Sequence, residues 1–206
     1  CATSLPSEPN ESAFTLDAQW LYRKAVTRDV RLSDDGRYLE LERGELIEDD
    51  GPASGYSYKP NQEKISGNIW IRKDLIVPRL QADGARLLVA PGGKLNVRIN
   101  GKPCPLELKE GFGNYWQIYS FDPALLRKGK NEIVLYGDGQ VWIARDDEYA
   151  AGAEPGRTPP NRSARSTDGG KTWDDGHLGV KGDVDGEYCV RLFLDQYRPE
   201  GRILLP

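Results

Sequence analysis

Apolar and polar residues alternate with a period of two along most of the chain. In "RYLELERGEL" Leu39 and Leu41 alternate with Glu40 and Glu42, the pattern of a strand with one wet face. "GNIWIRKDLIVP" repeats it, with Trp70 and Arg72 on one side and Ile69 and Ile71 on the other. "ARLLVAPGGKLNVRINGKP" reads as two strands about Gly92-Gly93, with Leu95, Val97 and Ile99 inward and Asn100-Gly101 as a tight-turn signal. Asp122-Pro123 starts a short helical turn that Gly129 ends, ahead of a strand from Asn131 to Tyr136. "QVWIARDD" and "EYCVRLFLDQY" supply two more strands, the latter setting Tyr188, Val190, Leu192 and Leu194 against Cys189, Arg191 and Phe193. Every long element is a strand. The least regular stretches, 49–66 and 146–162, have the length of functional loops.

Composition narrows this to one architecture. The 206 residues include 23 glycines and 14 prolines, enough punctuation to separate many short strands. We therefore expect an all-β protein, a single β-sandwich of jelly-roll type over residues 13–206, with residues 1–12 as a polar tether. A net charge of -4 with interspersed signs provides no basic stripe, so nucleic acid is not an expected partner. No run approaches the roughly 18 apolar residues of a helical membrane span. The chain begins at Cys1 and contains no methionine. A lipid-bearing cysteine on a polar tether would make this an exported lipoprotein at a cell surface, and an excised boundary would look the same. Cys104 and Cys189 read either as a disulfide closing a long loop or as two buried free thiols.

The chemistry-bearing residues point away from catalysis. The sole histidine, His177, has no neighbouring nucleophile motif, and one histidine with three scattered cysteines misses every zinc spacing. No catalytic residue is assigned. Glycan recognition needs flat aromatic faces with amides or carboxylates fixing the hydroxyls. "GYSYKPNQ" and "EGFGNYWQ" have that composition, and Tyr56, Tyr58, Asn114, Tyr115 and Trp116 form the expected carbohydrate-binding set, with core packing as the alternative for any one of them. Trp70, Trp142 and Trp173 are assigned to packing. The acidic turns around Asp146, Asp147, Glu148, Asp174, Asp175, Asp183 and Asp185 offer oxygen ligands for a structural calcium, although no stretch fits the twelve-residue calcium loop.

Two groups of residues carry a resemblance. In "STDGGKTW", Ser166, Asp168, Gly170, Thr172 and Trp173 resemble the Asp box of sialidases and related propeller proteins, a structural staple of a turn. One copy is too few for a propeller, which repeats its signature blade by blade. Upstream, Trp70, Arg72, Asn100, Gly101, Phe121, Asp122, Leu125, Leu126, Gly129 and Asn131 resemble the pattern of the sugar-binding-like amino-terminal domain of family 2 glycoside hydrolases, a galactose-binding-like jelly roll. The resemblance implies a sandwich that serves as a non-catalytic carbohydrate-binding module of an exported polysaccharide-processing protein, with a glycan as partner. The alternatives are a ligand-free jelly roll docked on an adjacent catalytic domain, and a small glycoside hydrolase or lyase.

Overall fold

The computed structural model describes residues 30–50, 61–112, 116–146 and 160–205. The expectations for Cys1 and the tether, Tyr56, Tyr58, Asn114, Tyr115, Asp147 and Glu148 lie outside the described residues. Fifteen strands follow in chain order among them: β1 Arg31–Leu32, β2 Tyr38–Glu40, β3 Arg43–Ile47, β4 Gln62–Ile65, β5 Trp70–Val77, β6 Ala85–Val89, β7 Pro91–Ile99, β8 Lys102–Cys104, β9 Glu107–Phe112, β10 Trp116–Phe121, β11 Gly129–Arg145, β12 Ser163–Ser166, β13 Gly186–Tyr188, β14 Val190–Tyr197 and β15 Arg202–Leu204. Short 3-10 turns lie at Pro123–Leu125 and Pro199–Gly201. The fold is all-β, a β-sandwich of antiparallel sheets.

Two compact units make up the chain, Leu46–Asp195 and the flanking segments Cys1–Glu45 with Gln196–Pro206. In the flanking unit β1, β2 and β15 form a small sheet. Its centre is Glu40, 1% exposed, which accepts from Arg31 at 2.7 Å and pairs with Arg202 at 2.6 Å.

The larger unit holds the sandwich core. One layer has the order β3-β14-β6-β10-β9; the other has β12-β5-β11-β7-β8, with β4 and β13 also on β11. Alternation along each strand feeds one core: Leu87, Val89, Leu192 and Leu194 from the first layer meet Ile71, Leu75, Val97, Ile99, Ile133, Leu135 and Val141 from the second. β11 organises the second layer, because its seventeen residues pair with β5 over 129–135, with β7 over 133–141, with β4 over 139–142 and with β13 over 143–145. The sequence divided this strand at "GDG". It continues because Gly137 (φ +123°) follows a backbone path that a side chain resists, and because Gly93 and Gly139 let β7 and β11 approach closely.

Asn100, Gly101, Asp122, Leu125, Gly129 and Asn131, six of the ten residues that carry the jelly-roll resemblance, meet at one corner of this layer. Asn100 and Gly101 turn β7 into β8 with φ of 52° and 78°. Asn100 Nδ2 donates to Leu125 O and to Asn131 Oδ1, both at 3.0 Å, and its Oδ1 accepts from Glu132 N at 3.2 Å. Asn131 is fully buried; it also accepts from Arg127 N and donates to Arg127 O and Gly129 O. Asp122 caps the 3-10 turn by accepting from Ala124 N at 2.9 Å. Two asparagines thus tie two turns together, since side-chain amides can replace the backbone partners that turning chains lose. Cys104 and Cys189 are both buried and free, and burial pushes the Cys104 thiol up to about 11.

Candidate functional site

The stretch 163–177 folds back on itself after β12. Ser166 Oγ donates to Asp168 Oδ1 at 2.8 Å and accepts from Gly170 N at 2.8 Å. Asp168 also accepts from Lys171 N, Thr172 N and Thr172 Oγ1 at 2.7–3.0 Å. Four donors on one carboxylate hold it ionised well below the usual range for aspartate. Gly169 and Gly170 have φ of 77° and 83°, and a Cβ on Gly170 would lie 2.8 Å from the Trp70 ring. The turn is therefore closed by its own polar side chains and seated on Trp70. Arg165 and Asp174 exchange backbone hydrogen bonds at its base.

The outer side of this turn lines an open cavity of about 450 Å³ with Arg165, Thr167, Thr172, Trp173, Asp174, Asp175 and His177. His177 Nδ1 lies 3.0 Å from both Asp174 oxygens, and this contact with the Gly176 N–H lowers the Asp174 pKa. Trp173 is half-buried, with the Arg72 guanidinium 5.1 Å from its ring centre. Donors, acceptors and one indole therefore line one concavity, and Trp173 both packs beside Arg72 and forms part of its wall. On the same sheet, Trp70 stacks on Tyr136 at 4.5 Å, and Arg98 lies 5.5 and 5.4 Å from the two ring centres. The period-two pattern put Trp70 and Arg72 on one face; the register adds Tyr136 beside Trp70 and Arg98 beside Val134.

Of the expected carbohydrate-binding set, Trp116 is the member described. It packs against Ala90, Trp142, Ala144 and Cys189, and the Arg191 guanidinium stands 4.7 Å from its ring centre. Behind it lies a charge network that the sequence reading did not single out. Arg191 pairs with Asp50 at 2.9 Å and Glu48 at 2.7 Å, and burial raises the Asp50 pKa against the Arg191 charge. Lys73, fully buried, contacts Asp49 at 2.6 Å and forms a short hydrogen bond to Glu187. Its two carboxylate neighbours outweigh the desolvation that would otherwise lower its pKa, which is raised. Ser163 Oγ and Arg162 N each donate to Glu187 at 2.6 Å. A signal for Lys73 was present in the alternation: it falls in phase with Ile71 and Leu75, on the inward face.

The acidic turns separate on folding. Asp146, Asp183 and Asp185 line a second cavity of about 280 Å³ with Arg145 and Val184, while Asp174 and Asp175 line the first. Among the described residues no group of three or more histidine, cysteine, aspartate or glutamate side chains is placed to hold a metal ion. Comparison of the chain with models of known families, with curated proteins and with solved structures finds no match.

Proposed function

We propose that this domain is a non-catalytic glycan-binding module of an exported polysaccharide-processing protein, and that a saccharide occupies the cavity beside Trp173. The observation that carries this reading is the lining of that cavity. A sugar ring presents an apolar face edged by hydroxyls that both donate and accept. An indole suits the face, and Thr167, Asp174, Asp175, His177 and Arg165 supply hydrogen-bonding partners of both kinds. The volume is in the range of small-molecule sites, roughly 300–1,000 Å³. The likeness of "STDGGKTW" to the Asp box, and of the Asn100–Asn131 corner to sugar-binding-like jelly rolls, points in the same direction.

The test is a glycan array followed by calorimetry on any hit, with the wild type, Trp173→Ala and His177→Ala. Binding that falls at least about tenfold in Trp173→Ala, with the thermal transition retained, supports the reading; a contribution of about 1.4 kcal/mol from the ring face produces that factor. Undiminished binding in both variants would move the ligand elsewhere on the domain. Absence of binding to every glycan tested would leave docking against a catalytic domain as the better account.

A further inference from the structure

The buried Lys73 has an environment that the glycan reading does not use. Its side chain points into the sandwich from β5, in phase with Ile71, Leu75 and Val77, and is 0% exposed. Its Nζ contacts Asp49 Oδ1 at 2.6 Å, is hydrogen-bonded to Glu187 Oε2, and lies 3.4 Å from Ser163 Oγ. One buried amine thus touches two carboxyl groups.

Those carboxyl groups are held differently. Glu187 is oriented by Lys73, Ser163 Oγ–H and the Arg162 N–H, so both of its oxygens are occupied. Asp49 Oδ1 meets Nζ without the angles of a hydrogen bond and has no hydrogen-bond donor among the described residues, while Oδ2 accepts from Arg162 Nη1 at 3.2 Å. Asp49 therefore presents a carboxyl group directly to the amine with its second oxygen polarised by a guanidinium. Glu187 is fixed beside the same nitrogen as a proton acceptor. Asp49 is also nearly enclosed, its side chain 9% exposed, so little water competes for its carbonyl carbon.

We propose that Lys73 and Asp49 condense into an intramolecular isopeptide cross-link, with Glu187 relaying the proton. The Lys73 ammonium first passes a proton to the Asp49 carboxylate. The two carboxylates favour the ammonium, so this transfer is uphill and sets the rate of the reaction; removal from water, which disfavours both charges, works in its favour. Neutral Nζ then attacks Asp49 Cγ, forming the C–N bond. Glu187 accepts a proton from the nitrogen and returns it to the departing hydroxyl, so the C–O bond breaks and one water leaves. Charge and atoms balance, and no oxidant, reductant or co-reactant takes part. Holding the two groups in contact replaces a bimolecular encounter with an effective concentration that solution chemistry cannot reach. The link would join the chain beyond β3 to the middle of β5, within one compact unit.

The experiment is intact-mass spectrometry of the purified, folded full chain under denaturing conditions, followed by proteolysis. The expected mass lies below the sequence mass by one water, and the fragments carrying Lys73 and Asp49 emerge as one branched peptide. Lys73→Arg and Asp49→Ala are expected at their full sequence masses, and Glu187→Gln at its full mass or converting slowly. A wild-type chain at its full sequence mass after prolonged incubation in the folded state would overturn the proposal and leave an ordinary buried ion triad. So would a lost water mapped to any other pair of residues. Because the wild type itself is weighed, a variant that fails to fold leaves the test intact, and the result is independent of whether any glycan binds.

Discussion

Asn131 shows what a single side chain does when it replaces backbone partners. It is fully buried with four hydrogen bonds, and three of its partners, Arg127 N, Arg127 O and Gly129 O, are backbone groups at a turn. Asn131→Ala leaves those groups orphaned, so we expect stability to fall by about 2–3 kcal/mol. A urea midpoint that drops at unchanged slope would show it; a shift within about 0.5 kcal/mol would mean that water restores the bonds. Asp168 makes a prediction of another kind. Its folded pKa is depressed by four donors, so its contribution is fully present above the ordinary aspartate range and is lost as pH falls through the folded value. The stability difference between wild type and Asp168→Ala should therefore shrink on acidification below that range. A difference that grows with acid would contradict the assignment. The role of Asp168 was legible in type from "STDGGKTW", because short polar side chains beside glycines are turn chemistry, whereas Asn131 read only as the start of a strand.

Among the elements, β11 is the longest whose extent the sequence misreads; β4, Gln62–Ile65, also forms inside the stretch expected as a loop over 49–66. A Gly-Asp-Gly triplet ordinarily marks a turn, yet here the strand runs through it, since the β7 backbone occupies the space that side chains would fill. A Cβ on Gly93 would lie 2.5 Å from Gly139 Cα and 2.7 Å from Asp138 O, at a φ of +149°. Gly93→Ala should separate β7 from β11 locally and cost at least about 2 kcal/mol. Hydrogen exchange would then quicken at the amides of 137–141 while those of 129–135, paired to β5, keep their protection. Uniform quickening along β11 would show instead that its two halves open as one unit. The neighbouring hairpin was legible because Asn100-Gly101 specifies its turn locally, whereas continuity of β11 depends on a strand some forty residues away.

For the whole molecule, the balance of buried charge shapes the response to pH. Glu63 is fully buried and accepts from Gly179 N at 2.8 Å and Tyr188 Oη at 3.2 Å, with Arg165 at 3.1 Å. Burial outweighs these partners and raises its pKa. A carboxyl group with a raised folded pKa binds its proton more tightly in the native state, so its contribution declines as pH rises from the ordinary glutamate range through the folded value. Glu63→Gln should remove that slope, and a pH series of urea midpoints for the two proteins would test it. An unchanged slope would place the titration elsewhere.

From sequence alone, the all-β class, most strand positions, the Asn100-Gly101 turn and the self-closing acidic turn follow, because period-two alternation and turn chemistry act over a few residues. Of the two stretches expected as loops, 51–60 and 147–159 lie outside the described residues, and Gln62–Ile65 of the first is strand β4, paired with β11. Only the tertiary structure decided what faces what. It put Trp173 at the wall of a cavity, Trp116 among Ala90, Trp142 and Cys189, and Lys73 between two carboxyl groups more than twenty and more than one hundred residues away in the chain. A local pattern can say that Lys73 points inward, but which acids await it depends on the pairing of distant strands, and that is a property of the folded chain.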